Sequence, residues 1–194
     1  EISECLVGSE MCIRDRCRLR GYKNASRVTG PDFMGEIFKE KGVRQFFYGS
    51  TPETLDKLRG ILEKEHPDIQ ICGMYSPPFR TLSHEEDEEI VDMINAAKPD
   101  IVWIGLGAPK QENWMAKHEG RINAVMVGVG AGFDYFAGNI KRAPMIMQKL
   151  SLEWLYRLVQ EPKRLYKRYF STNTVFLIAN YRLWKQYRKI KKRR

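Results

Sequence analysis

Ile101-Val-Trp-Ile-Gly105-Leu-Gly107-Ala-Pro109-Lys110-Gln111-Glu112 is the stretch that decides the fold. Four apolar residues end in glycine, and polar residues after Pro109 open a helical pattern, so the segment reads as strand, tight loop and helix. The same unit recurs on both sides of it. From Val43 onward, short apolar runs over residues 44–48, 69–73, 101–105 and 124–128 alternate with amphipathic stretches of helical length, each run bounded by Gly, Pro or Asp. This is the rhythm of an α/β protein with a parallel sheet.

The helices carry their own start signals. In Gly49-Ser-Thr-Pro-Glu53, Ser50 is placed to cap, Pro52 suits the first turn and Glu53 completes a capping box, with Leu55, Leu58 and Leu62 on one face. Ser83-His-Glu-Glu86 forms a second box, leading through Ile90, Met93, Ile94 and Ala97 to Pro99. A third helix follows Pro109. Beyond Asp134 the pattern turns helical, basic and aromatic, over residues 144–160, 162 to about 170, and roughly 172 to the end.

With 194 residues, 22.7 kDa, 43% hydrophobic and 11% aromatic, the chain can bury one core, or one core with a small appendage. A disulfide-stapled miniprotein and a disordered tail are excluded. The net charge of +9 is unevenly held, because residues 141–194 contain 16 basic and two acidic residues and carry +14, leaving the first 140 at −5. No window approaches the roughly 18 apolar residues of a membrane span. Glu1 and Glu4 replace the basic start of a signal peptide, so a cytosolic setting is expected. Cys5, Cys12 and Cys17 have neither zinc nor thioredoxin spacing, and Cys72 is alone in an apolar run, so reduced, non-catalytic thiols are expected.

Residues 1 to about 20 show no useful periodicity and read as a non-native leader, similar to a translated sequencing-adapter junction. The expected organisation is therefore a leader over residues 1–20, an α/β domain over 21–140 and a basic helical appendage over 141–194.

In parallel α/β sheets, ligands lie beyond the carboxyl ends of the strands. Those ends here are Gly49-Ser50-Thr51, Gly73-Met-Tyr75-Ser-Pro-Pro78, Gly105 to Glu112, and Gly128-Val-Gly130-Ala-Gly-Phe-Asp134. Glycine lets backbone approach a ligand and helix starts favour an anion, so a nucleotide diphosphate is the natural guest. No P-loop string occurs, and Gly128 to Gly132 is not a dinucleotide fingerprint, which disfavours an NTPase and an oxidoreductase. Lys110 can offer charge to a phosphate, and Gln111 a donor and an acceptor; a solvated helix start is the plain alternative. Asp134 can accept from an imide N–H or a ribose hydroxyl, or instead cap a helix or pair with Lys141 or Arg142.

Metal chemistry is not indicated. His84 and the acids Glu85 to Glu89 fall on the first turns of a helix, where acids offset the macrodipole, and read as a solvated face. His66 and His118 have no cysteine or acid at ligand spacing, and there is no D-x-D string. In the appendage, arginines alternate with aromatic residues, and residues 182–194 hold eight basic residues and no acid, which suits nucleic acid, an anionic membrane surface or a solvated tail alike.

Gly107-Ala-Pro-Lys-Gln-Glu-Asn-Trp114 is where a known family comes into view. Together with Arg27-Val-Thr-Gly-Pro-Asp32, Tyr48-Gly-Ser50, Gly73 to Pro78, Val129 to Asp134, Ala137-Gly138, Arg142-Ala-Pro144, Glu153-Trp154, Arg157 and Glu161-Pro162, it resembles the WecG/TagA/CpsF glycosyltransferases from about Arg27 to Tyr169. The resemblance implies a Rossmann-like sheet with a helical, membrane-associating appendage. It also implies inverting transfer of an N-acetylhexosamine-type sugar, N-acetylmannosamine or its uronate, from a UDP donor to an undecaprenyl-diphosphate-linked saccharide. That work would proceed without a metal cofactor, on the cytoplasmic face of the membrane, in cell-surface polysaccharide synthesis. Nucleic acid is not an expected partner, and homo-oligomerisation is left open.

Carried onto this chain, the implied substrate contacts are Arg27, Asp32, Gly49, Ser50, Tyr75, Gly107, Pro109, Lys110, Gln111, Gly130 and Asp134, with Arg142, Arg157, Arg164 and Arg168 on the diphosphate. Gln111 is also the catalytic candidate. The family's general base is thought to be the aspartate of an upstream Asn-Ala-Asp-Gly-like string, for which residues 20–26 hold no counterpart, so the expectation is a chain without that base. A non-catalytic nucleotide- or RNA-binding α/β domain with a basic tail is the alternative reading.

Overall fold

A computed structural model describes residues 21, 22, 24, 28–149, 153–160, 162, 163 and 166. The chain divides into two compact units, one of residues 28–142 and the other of residues 1–27 with 143–194. In the first unit the described elements are α1 (Gly30–Ile37), β1 (Arg44–Gly49), α2 (Pro52–Glu65), β2 (Gln70–Tyr75), α3 (His84–Ala96), β3 (Ile101–Gly105), α4 (Lys110–Lys117), β4 (Val125–Gly128) and α5 (Gly132–Phe136). The second holds α6 (Met145–Lys149) and α7 (Glu153–Gln160).

The four strands form one parallel sheet in the order β2-β1-β3-β4. This matches the first four strands of a doubly wound sheet of order 2-1-3-4-5, whose switch point lies between its first and third strands. Side-chain alternation along β1 and β3 explains the two covered faces. Phe47 and Trp103 face α1, α2 and α5 through Met34, Leu58 and Phe133, whereas Phe46, Tyr48, Val102 and Ile104 face α3 through Ile90, Val91 and Ile94. Burial of an aliphatic or aromatic side chain is worth about 1.5–3 kcal/mol, so these two layers dominate the stability of the unit. The fully buried Gln45 fits among them because its Oε1 accepts the Trp103 indole N–H at 2.8 Å.

The four expected strands are present. β2 runs two residues past Gly73 to Tyr75, and its register against β1 shifts between Gln45 and Phe46. The expected start of α2 is corrected: Thr51, not Ser50, is the cap, accepting the Thr54 N–H at 3.2 Å, and no reciprocal bond from Glu53 completes a box. Ser50 instead takes a left-handed φ of 60°. The second capping box is as expected, with Glu86 N–H donating to Ser83 Oγ and Ser83 N–H to Glu86 Oε2. Helix α1 was not anticipated; Thr29 caps it, with Pro31 in its first turn and Met34 fully buried.

The helix expected over 144–160 is represented by α6 and α7, with residues 150–152 outside the described residues. Of the next expected helix only Pro162, Lys163 and Tyr166 are described, all helical, and the last one lies wholly outside the described residues, as do residues 1–20. Among the described residues no helix is long and apolar enough to cross a membrane.

Candidate functional site

The ends of β1 and β3 meet at the switch point. Gly49 pairs with Gly105, and a Cβ on Gly49 would stand 2.7 Å from the Gly105 carbonyl carbon while its φ is 122°, so only glycine lets the two strands end this close together. The chain then turns through Ser50, whose N–H donates to the Gly105 carbonyl at 3.2 Å and whose carbonyl accepts from Ser76 Oγ at 2.7 Å. The β1, β2 and β3 ends are thereby tied into one floor, with Gly107 and the cis Ala108–Pro109 bond following on.

Gln111 joins this floor to the β4 end. It is 8% exposed, and its Oε1 accepts the Gly130 N–H at 2.9 Å while its Nε2 donates to Glu112 Oε1 at 3.0 Å. Gln111 therefore does structural work between two loops besides any contact with a ligand, since one of its two Nε2 hydrogens remains for another acceptor. Lys110 is exposed at the start of α4, as a group meeting a phosphate requires.

Asp134, half-buried in the first turn of α5, is held by Asn139, whose Nδ2 donates to Asp134 Oδ1 at 3.3 Å and to Thr54 Oγ1 at 2.9 Å. Lys57 Nζ donates to Asn139 Oδ1 at 3.2 Å. Asn139 thus links the first turn of α2 to the carboxylate, a role with no signature in sequence beyond following Gly138. The cap of α5 is Ala131, so Asp134 does not cap that helix, and Arg142 is paired elsewhere.

That pairing is with Asp32. Arg142 Nη2 lies 2.5 Å from Asp32 Oδ1 and 3.4 Å from Thr29 Oγ1, and the Thr29 hydroxyl donates to Asp32 Oδ2 at 2.6 Å. Burial pushes the Asp32 carboxyl up, but the Thr29 and Arg142 bonds outweigh it and hold the group below the ordinary aspartate value. Two candidate contacts thus engage each other at the start of α1. Tyr75 stacks on Tyr48, with ring centroids 6.3 Å apart, at the end of β2. Arg27, Arg164 and Arg168 lie outside the described residues, and of Arg157 only its helical backbone position in α7 is described.

A second polar cluster lies between α3 and α4. Asp87, 4% exposed, receives Lys117 Nζ at 2.8 Å, His118 Nε2 at 3.2 Å from both carboxylate oxygens, and Arg121 Nη1 at 3.3 Å. His118, fully buried, sets its Nδ1 2.7 Å from the Trp114 carbonyl and stacks on the Trp114 ring, which in turn stacks on Tyr48. Reading this segment as a solvated face is corrected at Asp87. Its partners come from about thirty residues downstream and turn a first-turn acid inward. Cys72 is half-buried in β2, and burial raises its thiol pKa, in line with a non-catalytic thiol.

The family model of the WecG/TagA/CpsF glycosyl transferases matches residues 6–193. Among curated proteins the chain is similar to the N-acetylglucosaminyldiphosphoundecaprenol N-acetyl-beta-D-mannosaminyltransferases of Staphylococcus aureus strains MW2 and COL. It is 36% identical to each over 172 residues, covering 87% of this chain and 64% of the relative. The chain therefore spans about 64% of the length of the curated relatives it matches.

Proposed function

We propose, for a chain that belongs to the WecG/TagA/CpsF family of glycosyl transferases, that it transfers an N-acetylhexosamine-type sugar from a UDP donor to a lipid-diphosphate-linked saccharide. The observation that carries this reading is the strand-end floor, where glycine-lined β1 and β3 ends, Ser50, Gln111 and the β4 loop converge at the switch point of a doubly wound sheet. The relatives' names support N-acetylmannosamine as the sugar and an N-acetylglucosaminyl-diphosphoundecaprenol as the acceptor. Such an acceptor is embedded in a membrane, which supports peripheral attachment at its cytoplasmic face through the basic segment after residue 140, in cell-surface polysaccharide synthesis.

In the transfer, an acceptor hydroxyl oxygen attacks the anomeric carbon from the face opposite the diphosphate. The anomeric C–O bond to UDP breaks, its electron pair departs with UDP, and the hydroxyl proton passes to a base. Positive charge near the diphosphate lowers the barrier to its departure. Lys110 supplies that charge in this proposal, so no metal is needed. Gln111 and Asp134 meet the donor nucleotide and sugar. The proton is assigned to no residue of this chain.

Calorimetric titration with UDP, with and without EDTA and beside a nicotinamide dinucleotide control, tests the reading. Saturable, EDTA-insensitive UDP binding is expected, weakened about tenfold or more by Gln111→Ala, since that change removes a ligand donor and frees the Gly130 loop together. A folded chain that ignores UDP, or binds it only with a divalent metal, defeats the proposal.

A further inference from the structure

We infer that Glu112 is a positioning residue for the donor site, fixing which way the Gln111 amide points; its consequence for ligand binding rests on the transferase reading above. An amide side chain has two ends of nearly the same shape and opposite hydrogen-bonding sense, so half a turn exchanges acceptor and donor. Here both ends are specified. Gln111 Oε1 takes the Gly130 N–H at 2.9 Å, and Nε2 donates to Glu112 Oε1 at 3.0 Å. Turned over, the amide would set donor against donor at Gly130 and acceptor against acceptor at Glu112.

Gly130 alone supplies one reason for the observed orientation, and the carboxylate supplies the other. Glycine at position 128 makes the room for the amide in this place, because a Cβ there would lie 2.9 Å from Gln111 Nε2. The β4–α5 loop that Gln111 grips then leads directly into the turn bearing Asp134.

The second Glu112 oxygen marks this carboxylate as more than a surface group. Oε2 is shielded from solvent and has no hydrogen-bond partner among the described residues, an arrangement that works against folding. A residue serving stability alone would do better as an apolar side chain there, which has no acceptor for the Gln111 amide. Its geometry serves the Gln111 amide instead.

The test uses the 194-residue chain with E112A, E112D and E112Q, reading hydrogen exchange at the Gly130 amide without ligand, UDP affinity and the thermal midpoint. E112A removes the acceptor and E112D withdraws it by one methylene; both are expected to speed Gly130 exchange and weaken UDP binding about tenfold while the thermal midpoint is kept. In E112Q the new amide carbonyl accepts from Gln111, so exchange and affinity return to the wild-type level. Should E112A not fold, E112D carries the same comparison. Wild-type exchange at Gly130 in E112A or E112D overturns the inference, as does E112Q failing as badly as they do. If UDP binds none of the four proteins yet Gly130 exchange follows this pattern, the donor reading falls and the positioning role stands.

Discussion

Asp87 and Asp134 are both aspartates in the first turn of a helix, and their surroundings differ in every other respect. Asp87 at the start of α3 is 4% exposed and surrounded by Lys117, His118 and Arg121. Asp134 at the start of α5 is half-buried beside the strand ends and held through a 3.3 Å contact from Asn139. The first has its acceptor capacity filled from the protein, so it serves packing between α3 and α4. The second keeps lone pairs for a ligand. Among the described residues the richest cluster of charged side chains is structural, while the candidate site consists mostly of backbone and amides.

Removing Asp87 is the largest break in that comparison. Asp87→Ala leaves the buried His118 ring without its carboxylate and Lys117 and Arg121 without a shared anion, an expected loss of about 3 kcal/mol in urea unfolding. UDP affinity of the folded fraction should be unchanged. Burial raises the Asp87 carboxyl, but the Lys117 bond and the charges of His118 and Lys117 outweigh it and leave the group below the ordinary aspartate value of 3.8. Its contribution is therefore full above about pH 4 and is lost as the pH falls through the depressed value. The stability gap between wild type and Asp87→Asn should be constant from pH 7 to about pH 5 and narrow progressively as the pH falls below about 4. A gap that does not narrow at all below about pH 4 would mean the stabilisation is not ionic.

Asp134→Asn should do the reverse. Its protein partner is one long hydrogen bond at a half-exposed position, so unfolding is expected to shift by no more than about 0.5 kcal/mol, while UDP affinity falls about tenfold. Equal damage to stability from both aspartates would erase the distinction between the two regions.

The sequence made some of this legible. β3 and the loop after it could be read directly, because an apolar run ending in glycine and followed by Pro109 has few other solutions. The second capping box was equally plain, since Ser83 and Glu86 need only each other. The inward turn of Asp87 was not legible, because its partners lie 30 to 34 residues away and arrive only through packing. The same holds for the grip of Gln111 on Gly130 and for Asn139 between Thr54 and Asp134. Helix α1 was hidden by its length and by Pro31, which reads as a turn until Thr29 is seen to cap it. Between Ser50 and Thr51 the sequence offers two adjacent hydroxyls, and the choice of cap depends on a backbone angle that sequence does not display.

That angle gives the smallest prediction and the one that bears most closely on the strand-end floor. Ser50 sits at φ 60° with its N–H bonded to Gly105 and its carbonyl to Ser76, so two strand ends hold a non-glycine residue in the left-handed region. A side chain there costs about 1–2 kcal/mol, and Ser50→Gly would relieve it. The same change loosens the unfolded chain, by about 0.5–1 kcal/mol. The difference leaves Ser50→Gly more stable by about 0.5 kcal/mol in urea unfolding, a gain in the opposite direction to Asp87→Ala. If the strained hydroxyl meets the donor, UDP affinity must fall in the same variant that gains stability, since local strain persists where surrounding structure holds it for a ligand. A variant that gains stability and binds UDP as before would remove Ser50 from the site while leaving Gly49, Gln111 and Asp134 in it.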